Sequence, residues 1–193
     1  MSALPSEPSV SHQPGPARRL GLYDAWWTVT AAALAACLAL SACAWMSLHL
    51  RVDATLHTAA LFVHLASLVL GFGAVLVADY HALLYLTGRC SLRDTLHSTT
   101  RLHVPIWTGL AGLVASGVML HPNLASTPTR IKLGLVLVLT LNGLQAGLLN
   151  RRWLQQDTNP PAPRLIVWAA STAVMSQICW WGAVLIGFRN SQH

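Results

Sequence analysis

Five long apolar runs divide the chain, at about 25–48, 58–86, 102–120, 131–149 and 165–188, with short polar segments between them. None alternates apolar and polar positions, and each is close to or beyond the ~20 residues that a helix needs to cross a bilayer. In lipid a backbone satisfies its own polar groups only as a helix or a closed barrel, and runs without alternation exclude the barrel. The pattern therefore predicts an all-α fold: an integral membrane bundle of five transmembrane helices over residues 25–188. A Pro-, Ser- and Gly-rich tail (residues 1–24) precedes it and is expected to be disordered, because it has too few apolar side chains to build a core. A short tail, 189–193, ends the chain.

Composition agrees. The 193 residues are 54% hydrophobic and 9% charged, with a mean hydropathy of +0.51, against about 25% charged in a soluble domain. The formal charge of +6 is not a nucleic-acid signal, since the basic residues fall mainly between apolar runs, where they set topology. Arg18, Arg19, Arg89, Arg93, Arg101, Arg151, Arg152 and Arg164 fall on the side of the N-terminus; Arg51, Arg130, Lys132 and Arg189 fall on the other. That excess predicts a cytoplasmic N-terminus and an external C-terminus in a bacterial inner membrane. Trp26, Trp27, Trp45, Trp107, Trp153 and Trp168 lie near run ends, as interfacial anchors do. Leu40-Ser41-Ala42-Cys43 resembles a lipobox, but apolar sequence continues through Leu48, so an uncleaved span is expected. Cys37, Cys43, Cys90 and Cys179 form no C-x-x-C pair and read as small apolar residues.

Small and amide residues mark packing. Gly143 and Gly147 form a G-x-x-x-G on the fourth run, and Gly112 and Ser116 repeat that spacing on the third; both allow close helix approach within the bundle or in a homodimer. Asn142, Gln145 and Gln177 are expected to hydrogen-bond between helices, the alternative being a polar path for a small substrate. Asp79, at the inner end of the second run, is expected to cap the helix end and pair with Arg101; proton relay beside His81 is the alternative. Ser91 to Asp94 reads as a capping box opening a short amphipathic turn before the third span.

The candidate chemistry lies in the histidines, because ionisable groups within membrane helices are costly and mark function by default. His57 and His64 are seven residues apart, almost two turns, and share a face, with His64 about 10 Å deeper. Gly71 and Ala78 continue that stripe, leaving room for a flat cofactor or for a neighbouring helix. His103 and His121 lie eighteen residues, five full turns, apart on the third run. The histidines admit two site readings. One is a b-type haem held by histidines from two helices, the candidates being His64, His103 and His121. The other is a copper or zinc site at the outer edge built from His57, His64 and His121. Against both stands a protein without cofactor, whose histidines are interfacial. The His64–His81 and His103–His121 spacings do not suit a stacked dihaem core. Lys132, just inside the outer end of the fourth run, either snorkels to the interface or meets a haem propionate or anionic substrate. No P-loop, G-x-S-x-G elbow or H-E-x-x-H is present.

Leu61-Phe62-Val63-His64-Leu65-Ala66, the stretch from Ile106-Trp107-Thr108-Gly109-Leu110 to Ser116-Gly117, and Thr129-Arg130-Ile131-Lys132-Leu133 resemble segments of small bacterial inner-membrane proteins of the copper-resistance D-like and HemJ-like group. The resemblance covers about 70 residues. It implies that His64 and Lys132 correspond to that group's paired His and Lys, with haem near the outer half of the second and fourth spans. The functional expectation is haem-b or metal binding in electron transfer or metal handling, with a redox or membrane-complex partner. The alternative is a cofactor-free small permease or an accessory subunit.

Overall fold

A computed structural model describes residues 26–120, 122–154 and 163–190. It contains five helices: α1 (Trp26–His49), α2 (Ala54–Leu86), α3 (Leu92–Met119), α4 (Thr127–Leu154) and α5 (Pro163–Asn190). All five are long and apolar enough to cross a membrane. The protein is an all-α membrane bundle, as the apolar runs predict. The expected tail at 1–24 and His121 lie outside the described residues.

Local chemistry sets the helix ends. Asp53 caps α2 by accepting the Leu56 N–H at 2.7 Å. At the other end Gly88 takes a positive φ of 71°, Gly88 N–H donates to the Tyr85 carbonyl at 3.0 Å, and Arg89 N–H donates to that of Leu84 at 2.9 Å. These paired bonds are a Schellman motif, in which glycine reaches the left-handed region without a Cβ penalty. Two residues on, Ser91 caps α3: the Asp94 N–H donates to Ser91 Oγ at 3.2 Å. The capping box is where the sequence places it, but it opens more than a short turn. The helix runs unbroken from Leu92 through Pro105 to Met119, ten residues longer at its start than the apolar run. Proline costs an interior hydrogen bond and normally kinks or ends a helix, but here α2 and α3 are packed along their shared length and hold α3 in one piece. Pro163 opens α5 at its first position, where a missing N–H costs nothing.

The bundle is built of two antiparallel hairpins, α2–α3 and α4–α5, with α1 against α3 and α4. Glycine sets the first hairpin. A Cβ added to Gly109 would lie 2.5 Å from the Gly71 backbone nitrogen and 2.8 Å from the Ser67 carbonyl oxygen, and one added to Gly112 would meet the Ser67 side chain. Gly71, which the sequence left open between a cofactor and a helix, is covered by the α3 backbone and by the Trp180 indole. On α4 the two glycines of the G-x-x-x-G differ. A Cβ on Gly143 would lie 3.2 Å from the Trp107 indole of α3, and among the described residues nothing lies within 4 Å of one on Gly147.

Between the hairpins a core forms from Val75, Leu110, Leu139, Cys179 and Trp180, flanked by Leu68, Phe72, Ile106, Trp107, Leu113, Leu135 and Val136. Phe72 stacks on Trp180 with ring centroids 5.5 Å apart and meets Trp181 edge-on at 5.0 Å. The outer surface is apolar too, with Phe62 and Val69 about three-quarters exposed. Exposed apolar side chains are the expected coat of a protein whose solvent is lipid.

Candidate site at His64 and Lys132

His64 faces α3. Its Nδ1 lies 2.9 Å from Ser116 Oγ, and its Cε1 would lie 3.8 Å from a Cβ on Gly117. Ser116 is buried at 3% exposure, and its Oγ lies 2.6 Å from the Gly112 carbonyl oxygen. A carbonyl only accepts, so the single hydroxyl proton goes to Gly112. Ser116 Oγ must then accept from His64, which places the proton of a neutral ring on Nδ1 and leaves Nε2 with its lone pair. Orientation through the second ring nitrogen is how metal-ligating histidines are commonly held.

The second candidate, Lys132, comes from α4. Its side chain is half-buried, and its Nζ lies 3.5 Å from where a Cβ on Gly187 would stand. It is close enough to the His64 ring for the two to interact electrostatically. The missing side chain at Gly187 on α5 gives the ammonium its space. His64 of α2 thus meets Ser116 and Gly117 of α3, and Lys132 of α4 stands beside Gly187 of α5.

The other histidines stand apart. His103 is half-buried on α3, thirteen residues before Ser116 and so about 20 Å away along the helix. It does not share a centre with His64. His57 is exposed and two turns from His64, whereas two imidazoles on one helix converge on an ion at one-turn spacing, as in H-E-x-x-H. His121 lies outside the described residues. Among the described residues no three His, Cys, Asp or Glu side chains gather to hold a metal ion. His81 Nδ1 bonds the Val77 carbonyl at 2.8 Å, and His49 Nδ1 that of Trp45 at 2.9 Å; both ring bonds are local to their own helices.

A second polar layer ties the hairpins together. Gln177 Nε2–H donates to Asp79 Oδ2 across α5 and α2. Asp79 therefore does not have the expected Arg101 as its partner: Arg101 is exposed on α3, while Gln177 meets the carboxylate within the bundle. Asn142 Nδ2–H donates to the Thr172 carbonyl at 2.9 Å, joining α4 to α5. Gln145 is exposed. Among the described residues one buried side-chain polar atom has no hydrogen-bond partner: Nε1 of Trp180, in a side chain only 2% exposed.

Ser116 is the site residue that sequence reasoning missed, since its spacing from Gly112 marked it as a packing position. A signal was there. His64 and Ser116 are equidistant in sequence from Cys90 in the α2–α3 turn, and so are Gly71 and Gly109. A tight turn between antiparallel helices pairs residues in that way.

Comparison with protein-family models, with curated proteins and with solved structures gives no match for this chain.

Proposed function

We propose that this is a haem-binding membrane protein of electron transfer, with His64 as an axial ligand through Nε2. The observation that carries this reading is the Ser116 hydrogen bond, which orients the His64 ring and reserves its second nitrogen. Lys132, within electrostatic reach of His64, supplies a cation suited to a propionate or another anionic group. These are the two residues that the resemblance to the copper-resistance D-like and HemJ-like group singles out, and the reading extends that resemblance to a cofactor, not to a reaction. A haem iron held here would supply one-electron chemistry. The chain's own part is to orient the imidazole, exclude water with the apolar residues around it, and offset negative charge with Lys132. A copper or zinc ion on the same nitrogen is the variant of this reading, with His57 and His121 as the further ligands it would have to recruit.

The test is a visible spectrum of the full chain purified in detergent, oxidised and reduced, with metal analysis. A Soret band that is lost in His64→Ala and retained in His97→Ala is expected. No band and no stoichiometric metal would overturn the proposal.

A second reading has a specific observation behind it. Gly71, seven residues after His64, is covered by Gly109 and Trp180, and Asn142 and Gln177 are spent on interhelical bonds. That favours a cofactor-free accessory subunit, with a homodimer or membrane-complex contact at the open Gly147 face of α4. We place the chain in a bacterial inner membrane, N-terminus inside and C-terminus outside, on the basic-residue asymmetry. A C-terminal reporter active only in the cytoplasm would reverse that orientation.

A further inference from the structure

We propose that the exposed stripe of α3 binds an anionic phospholipid, with its phosphate headgroup held by Arg93 and Arg101. This inference stands independently of the haem reading. Arg93, His97 and Arg101 succeed one another at one-turn spacing and are all exposed. With Leu96 and Thr100 they line a shallow groove. The carboxylates on the same end of the hairpin are engaged by neutral donors: Asp94 accepts from Ser91 Oγ at 2.5 Å, and Asp79 accepts from Gln177. Among the described residues neither carboxylate forms an ion pair with Arg93 or Arg101.

Depth makes the occupant a lipid. The apolar part of α3, residues 102–120, is about 28 Å long, close to the ~30 Å of a hydrocarbon core. Residues 92–101 continue the same helix beyond it, and this stretch stands at headgroup level. The stripe does not stop there. Val104 (72% exposed), Thr108 and Ala111 carry it into the hydrocarbon zone. The small side chains at Thr108 and Ala111 make it shallow enough for an acyl chain to lie along the helix. Basic groups at phosphate depth and small apolar positions below them match the two ends of one phospholipid. Arginine suits phosphate because its planar fork offers paired donors, and basic clusters at the membrane surface select anionic lipids.

The experiment is native mass spectrometry of the full chain in detergent, titrated separately with phosphatidylglycerol and phosphatidylcholine, and with inorganic phosphate as competitor. Phosphatidylglycerol adducts are expected in preference to phosphatidylcholine. In Arg93→Gln/Arg101→Gln their affinity should fall about 30-fold, while Arg189→Gln, at the opposite end of the bundle, leaves it unchanged. Unaltered elution in gel filtration establishes that the variants are folded. Equal retention of both lipids, or retention unaffected by the double substitution, would overturn the proposal. So would full competition by millimolar phosphate, which would make a soluble anion the ligand.

Discussion

His64 on α2 and Ser116 on α3 are joined by a 2.9 Å hydrogen bond whose direction is settled by a third group, the Gly112 carbonyl 2.6 Å from the same hydroxyl. The serine proton is committed to its own helix, so the histidine is the donor. Ser116→Ala removes the His64 ring's side-chain acceptor and leaves it the Leu113 carbonyl, so the expected cost is that of one hydrogen bond, about 0.5–1.5 kcal/mol. If haem is bound, the loosened ring should also lower its affinity by about 10- to 100-fold. Unfolding in a denaturing-detergent titration, followed by tryptophan fluorescence, measures the first effect, and haem titration the second. A variant identical to the parent in both would show that the bond orients nothing.

Gly109 and Gly134 are both helical glycines with opposite surroundings. A Cβ at Gly109 runs into the backbone of α2, whereas nothing lies within 4 Å of one at Gly134. Gly109→Ala must push two helices apart and is expected to destabilise by about 1–3 kcal/mol. Gly134→Ala gains helix propensity and should be neutral or slightly stabilising. Equal unfolding midpoints for the two variants would contradict the close α2–α3 approach.

Asp79 and Gln177 form a couple that a double-mutant cycle can isolate. Gln177→Ala strands a carboxylate within the bundle and should cost about 1–3 kcal/mol. Replacing both partners by apolar residues should cost less than that single change, because no polar group is then left unpaired. Arg101→Gln should leave the cycle unaltered. A coupling energy that vanished only when Arg101 was removed would restore the ion pair that the sequence suggests.

Trp180 separates packing from hydrogen bonding. Its side chain is 2% exposed, yet its Nε1 finds no acceptor among the described residues. Trp180→Ala opens a cavity at the centre of the core and is expected to cost about 3–5 kcal/mol. Trp180→Phe keeps much of the ring stacked on Phe72 and loses no bond, so it should recover more than half of that. Equal losses in thermal unfolding would mean that the indole N–H has a partner.

Much of the fold was legible because a bilayer imposes a simple rule. Apolar length alone specified five crossings, and Pro163 and the Ser91 box marked helix starts. α3 starts ten residues before its apolar run because Arg93, His97 and Arg101 break the run without breaking the helix. Propensity and hydropathy are different properties, and a helix can leave the hydrocarbon without ending. Part of the candidate site was legible as well: His64 and Lys132 were singled out from residue type and expected depth. Ser116 was not, since a serine at small-residue spacing looks like any packing position until its neighbour across the hairpin is known.

The amino-acid sequence by itself determined the class of the molecule and the number of its helices long and apolar enough to cross a membrane. Those depend on transfer of side chains between water and lipid, a property of each residue with its near neighbours in the chain. Which polar groups meet was decided only in three dimensions. Asp79 found Gln177 rather than Arg101, and Gly71 received Gly109 and an indole rather than open space. His64 was given its partner Ser116 by the rotation of α2 and α3 about their axes. Those rotations are set by packing between hairpins, to which no stretch of the chain has access alone.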